Sequence, residues 1–235
     1  MAGVTYRGFD SRTSLTRWGL AAVAIGILAG ATVPDAVGGL AAVVDGNRAS
    51  LPWLFERLLA FLAYLAITGS VVYGLLLSTK VLDHLAHRPV SFLLHKDLAA
   101  VGVGFAAIHG MLLGLDHTVP FSLEQILLPG SAPHAPLAVA FGQVALYLAL
   151  IVTGSFYVRR HIGHRAWRAL HYLTFLAFLG ATVHGIASGS DSGSRWAQGI
   201  YVAAAAVVVF LLVYRMGLSM GRRLADGRSG IGVHG

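Results

Sequence analysis

The sequence predicts an all-α integral membrane protein, a bundle of six transmembrane helices with both termini in the cytoplasm. Three observations lead there. Of 235 residues, 56% are hydrophobic and only 11% charged, whereas a soluble domain carries roughly 25% charged residues. The apolar residues fall into six uncharged runs, 18–34, 58–79, 98–115, 135–158, 169–190 and 196–214, each with the ~17 to 25 residues that cross a bilayer as a helix. Finally, the basic residues alternate in number from one connection to the next, as orientation in a membrane requires.

Taken in order, the spans are set at about 15–34, 53–80, 92–115, 135–158, 165–188 and 196–217. Lipid offers no partner to a free N–H or C=O, so each must be helical. Arg7, Arg12 and Arg17 precede the first span, and no small-residue cleavage site follows it, so it is expected to be a retained helix and not a signal peptide. Residues 35–52 hold turn formers, among them Gly38, Gly39, Asp45, Gly46 and Asn47. The 116–136 connection is longer and carries His117, Glu124, Pro129, Gly130 and His134, a place where something could bind. Spans five and six are joined by the polar link 189–194. One domain, 1–220, absorbs these elements, and the Gly-, Arg- and Ser-containing tail 221–235 is expected to be disordered.

Of 17 Lys and Arg residues, 14 fall before span one, between two and three, between four and five, and after six. Only Arg48, Arg57 and Arg195 fall on the other side. The positive-inside rule therefore puts both termini in the cytoplasm, and the net charge of +7 reads as topology, not nucleic-acid binding. There is no cysteine, which excludes disulfides, iron–sulfur clusters, thiolate metal sites and covalently attached haem.

The chemistry lies in histidines inside the apolar spans. Span three, LLHKDLAAVGVGFAAIHG, has His95 near its cytoplasmic start and His109 near its outer end. Span five, WRALHYLTFLAFLGATVHG, repeats the arrangement with His171 and His184. Odd-numbered spans run the same way, so His95 levels with His171 and His109 with His184. The steps of 14 and 13 residues correspond to roughly 20 Å along a helix. Iron in a porphyrin has two free axial positions, and an imidazole on each face fills both, leaving a centre suited to electron transfer. Four levelled imidazoles suit two such haems, one per leaflet. Zinc is the rival, but two imidazoles at each level lack the further ligands it ordinarily takes. On span five a thirteen-residue step leaves the two imidazoles about 140° apart in an ideal helix. Tilt, a distortion near Gly180 or rotated haems is therefore expected.

The H-x13-H and H-x12-H pairs, the WRALHYL start of span five and the six-span layout resemble the ferric reductase and NADPH oxidase transmembrane domain. The resemblance covers spans two to six. It implies two b-type haems, with His95 and His171 as axial ligands of the inner one and His109 and His184 of the outer one. Membrane partners of periplasmic methionine sulfoxide reductases are also similar but generally lack one of the four positions, all of which stand here. The chain departs from the family oxidases by showing no flavin or nicotinamide fingerprint after span six. Electrons are therefore expected from a separate cytoplasmic flavin reductase, or from menaquinol or ubiquinol, and are passed to an extracytoplasmic acceptor such as ferric iron, oxygen or a periplasmic redox partner. The setting expected is a bacterial cytoplasmic membrane.

Haem propionates need cationic partners. Arg57, at the outer start of span two where similar domains often place an arginine, is the candidate for the outer haem, a snorkelling charge paired with Glu56 being the alternative; Arg195 is a second outer candidate. Lys96, Arg165 and Arg168 are near enough in sequence to the inner one, though topology alone also explains them. Tyr172 and Phe175 either contact haem or pack. Against this electron-transfer reading stand histidine-dependent metal transport or binding without redox chemistry, and a purely structural subunit.

Overall fold

The computed structural model describes residues 51–79, 88–115 and 121–229. The expected first span, 15–34, lies outside them, as do His84, His87, His117 and His234. No strand occurs among the described residues. The helices are α1 (Leu51–Thr79), α2 (Arg88–Leu112, continued by a 3₁₀ turn, Leu113–Leu115), α3 (Leu123–Leu127), α4 (Pro136–Ile162), α5 (His164–His171), α6 (Leu173–Ser188) and α7 (Arg195–Ser229). Five segments are long and apolar enough to cross a membrane: Leu54–Thr79, Arg88–Leu115, Pro136–Ile162, His164–Ser188 and Arg195–Gly221. They match expected spans two to six closely. The last helix runs further, to Ser229, into the stretch from 221 for which disorder was expected.

Small residues let these helices approach, as membrane bundles require where apolar burial gives little drive. α1 and α2 form an antiparallel hairpin in which a Cβ on Gly102 would lie 2.8 Å from Ile67 Cγ1 and 3.0 Å from its backbone nitrogen, and one on Gly69 would lie 3.3 Å from Leu98. α4 and α6 meet similarly, a Cβ on Gly180 falling 3.1 Å from the Phe141 carbonyl oxygen and 3.2 Å from the Ala145 Cβ. The buried core joins α1, α6 and α7 through Tyr64, Val71, Leu75, Phe178, Tyr201 and Val208. Aromatic contacts fasten it, with Phe61 and Trp196 centroids 4.6 Å apart and Tyr64 edge-on to Tyr201 at 5.0 Å, each such pair contributing about 0.5–1.5 kcal/mol. The outer faces stay apolar: Val202, Phe210 and Val213 of α7 and Met111 of α2 are all exposed, the pattern of surfaces that meet lipid.

Two connections shape the site. Gly163 closes α4 and opens α5 at φ 80°, its amide donating to the Arg159 carbonyl at 3.1 Å, a conformation side chains beyond glycine adopt only with strain. The fifth span is then interrupted at Tyr172, between α5 and α6. The Tyr172 amide is shared between the carbonyls of Arg168 (3.3 Å) and Ala169 (3.2 Å), and Phe175 N–H donates to the Tyr172 carbonyl at 3.2 Å. The expected distortion near Gly180 is thus found directly after His171; Gly180 lies within α6 and serves close packing.

In the 116–136 connection, α3 begins with a capping box, Gln125 N–H donating to Ser122 Oγ (3.2 Å) and Ser122 N–H to Gln125 Oε1 (2.9 Å). It is tied to α4 by Gln143 Nε2, which donates to the carbonyls of Gln125 and Ile126, both at 2.8 Å, and by the Tyr147 hydroxyl donating to the Leu127 carbonyl. The chain is a multi-pass membrane protein whose described elements are all helices.

Candidate functional site

Four histidines from two parallel spans meet in two pairs. His95 of α2 faces His171 at the end of α5, with ring centroids 6.0 Å apart and planes at 76°. His109 of α2 faces His184 of α6 at 6.2 Å and 68°. The tightened turn at Tyr172 helps to reconcile the thirteen-residue step with this alignment. Each residue wound toward 3₁₀ geometry advances about 20° further than in an α-helix and so recovers part of the ~140° offset.

The spacing can be compared with that of known ligation geometries. For a metal–nitrogen bond of about 2 Å and a ring centre about 1.1 Å behind the nitrogen, imidazoles on opposite sides of one metal have centroids about 6 Å apart, against about 5 Å at a tetrahedral angle. The separations in both pairs equal the opposed value, the spacing that two imidazoles binding one haem iron would have.

Hydrogen bonds fix the tautomers of three of the four rings. His95 Nδ1 lies 2.7 Å from the Ser70 carbonyl oxygen and 3.1 Å from the Ser70 hydroxyl. His184 Nδ1 lies 3.0 Å from the Ala138 carbonyl and 3.0 Å from the Ser188 hydroxyl. His109 Nδ1 lies 3.1 Å from the Glu56 carbonyl and 2.9 Å from the Glu56 carboxylate. A carbonyl only accepts, so Nδ1 carries the proton in each neutral ring and Nε2 keeps its lone pair for a metal. His171 is steadied differently, by stacking on Trp167 at 5.3 Å and 26°. Glycines back two of the rings: a Cβ on Gly74 would stand 3.0 Å from His95 Cε1, and one on Gly142 only 2.6 Å from His184 Cγ.

Space adjoins the His95–His171 pair on two flanks. One cavity of about 340 Å³ is lined by Ser70, Gly74, Lys96, Trp167 and Thr174 among others, and one of about 240 Å³ by Arg168, Tyr172, Phe175 and Arg215; both histidines line each. The larger volume is on the scale of small-molecule sites, roughly 300–1,000 Å³, and the smaller falls below it. In the larger cavity's wall, Trp167 Nε1 and Thr174 Oγ1 are buried without a hydrogen-bond partner among the described residues, which suits a polar group entering from outside the protein.

Of the expected cationic partners, Lys96 and Arg168 therefore line the inner cavities, and Arg165 is exposed on α5. Arg57 is engaged by Asp191, through a 2.7 Å bond from Nε to Oδ2 and a second contact from Nη2 to Oδ1. Arg195, His134, His161 and His164 are exposed. Sequence reasoning missed Ser70, Ser188, Gly74 and Gly142, read Arg215 as topology alone, and weighed Glu56 only as an alternative partner of Arg57, on which it does act electrostatically, and not as a partner of His109. Ser188 could have been found, since it stands four residues after His184 on the same helix face. Ser70, Gly74, Gly142 and Glu56 depend on the register of one helix against another, which no local signal gives.

The fold and these side chains define a membrane helix bundle with two facing pairs of histidines, three of the four rings tautomerically set. Comparison with family models, curated proteins and solved structures finds no match.

Proposed function

We propose that the chain is a di-haem b electron-transfer subunit, six spans with both termini cytoplasmic, set in a bacterial cytoplasmic membrane. The observation that carries this reading is the pair of centroid separations, 6.0 and 6.2 Å, at two levels of one bundle. His95 and His171 hold the inner haem, and His109 and His184 the outer one. Bound haem supplies a one-electron iron couple at each level, and the protein supplies its placement and electrostatics. Ser70, Ser188, Ala138 and Glu56 keep the ligating nitrogens of His95, His184 and His109 unprotonated. Lys96, Arg168 and Arg215 put positive charge where inner propionates would lie. At the other end Arg57, already joined to Asp191, directly follows Glu56, whose carboxylate meets His109.

The donor is a cytoplasmic flavoprotein or a membrane quinol, and the acceptor an extracytoplasmic ferric ion, oxygen or periplasmic redox protein. Metal transport or binding without redox chemistry is the rival. It fits less well, because centroid separations of 6.0 and 6.2 Å differ from the tetrahedral value. Reduced-minus-oxidised spectra of the purified protein test the reading. A b-type α band is expected, and its absence from protein expressed with ample haem would overturn the proposal.

A further inference from the structure

The two histidine pairs share a spacing and a mode of support but differ in the charge of that support. His95 is held by the Ser70 carbonyl and hydroxyl, and His184 by the Ala138 carbonyl and the Ser188 hydroxyl, all neutral groups. His109 alone rests on a carboxylate. Glu56 reaches its Nδ1 with Oε1 at 2.9 Å while its carbonyl oxygen stands 3.1 Å from the same nitrogen. Both side chains are mostly buried, 15% exposed for Glu56 and 18% for His109, so solvent screens the contact little. Glu56 stands at the outer end of the span Leu54–Thr79, and a carboxylate buried there against an imidazole is costly unless it is paired.

Resting on the haem reading above, we propose that Glu56 is a positioning residue that sets the redox poise of the His109–His184 centre. Its anionic hydrogen bond draws the Nδ1 proton toward oxygen and makes Nε2 a stronger donor, which favours the higher iron charge over the lower. The outer centre is thereby held more reducing than its ligands alone would make it, and the inner centre, with neutral supports, is not. The carbonyl contact fixes ring orientation independently, so the carboxylate's role is electronic as well as steric.

The test is a spectroscopic redox titration of the full chain in detergent, with the couple missing from His184→Ala identifying the outer haem. Glu56→Gln keeps an acceptor beside Nδ1 and removes the charge. It is expected to favour reduction of the outer haem at least tenfold, 59 mV for one electron, while the inner couple moves less than twofold. Asp191→Asn removes another carboxylate at the same end and is expected to shift the outer couple by less than a third as much. Unmoved couples, equal movement of both haems, or equal effects of the two variants would overturn the inference. If Glu56→Gln loses the outer haem, Glu56→Asp decides: recovery of that haem within threefold of the wild-type equilibrium supports the role, and no recovery overturns it. A haem-free wild type removes the underlying reading as well, whereas a two-haem wild type with unmoved potentials removes this inference alone.

Discussion

Gly142 of α4 lies so close to His184 of α6 that a Cβ added to it would stand 2.6 Å from Cγ and 2.7 Å from Nδ1 of the imidazole. The ring is rigid and its Nδ1 is tied to the Ala138 carbonyl at 3.0 Å, so it has little room to yield. Gly142→Ala is expected to displace His184, remove the outer haem and destabilise the fold by about 1–3 kcal/mol, the usual range for overpacking. Gly74→Ala meets His95 at the looser distance of 3.0 Å and is expected to weaken inner haem retention without abolishing it. Haem content per chain and thermal melts in detergent compare the two.

Ser70 supports His95 with two atoms, its carbonyl at 2.7 Å and its hydroxyl at 3.1 Å from Nδ1. Losing a supporting partner of a metal ligand ordinarily costs about 10–100-fold in affinity. Because the carbonyl survives substitution, Ser70→Ala is expected to cost less than tenfold in haem affinity, measured by competitive transfer to an apo-haem protein. A loss above that range would show that the hydroxyl, not the carbonyl, fixes the tautomer.

Arg57 and Asp191 join the start of α1 to the link before α7, with side chains 23% and 18% exposed. Removing one partner leaves the other charge partly buried. Asp191→Ala is expected to destabilise the protein by about 1–3 kcal/mol, with Arg57→Ala and the double variant losing no more than the larger single loss. Additive losses in melting experiments would mean that the pair acts independently.

Much of this was legible in the sequence because membrane spanning and ligation both leave local marks. Unbroken apolar runs placed α1, α2, α4, α5–α6 and α7, and four ionisable rings in those runs stood out against their surroundings. Which rings would meet followed from span direction alone. The break at Tyr172 was not legible, since neither glycine nor proline marks it and Gly180 offered the more obvious weak point. Nor was the Glu56–His109 contact, which depends on how α1 slides against α2, or the extension of α7 to Ser229, where polar composition suggested disorder.

The absence of cysteine from the chain makes orientation directly testable. Ser192→Cys, in the link before α7, is expected to react with an impermeant maleimide added to intact cells. His161→Cys, at the end of α4, is expected to react only after the membrane is opened. The opposite pattern would reverse the assignment of inner and outer haems.

The central claim is that two opposed histidine pairs hold two haems, and haem stoichiometry tests it most directly. Pyridine haemochrome assays on purified wild type, His171→Ala and His109→Ala are expected to give two, one and one b-type haem per chain, the single haem of each variant differing in potential from the other's. A wild type with no haem, or alanine variants that keep both, would contradict the account.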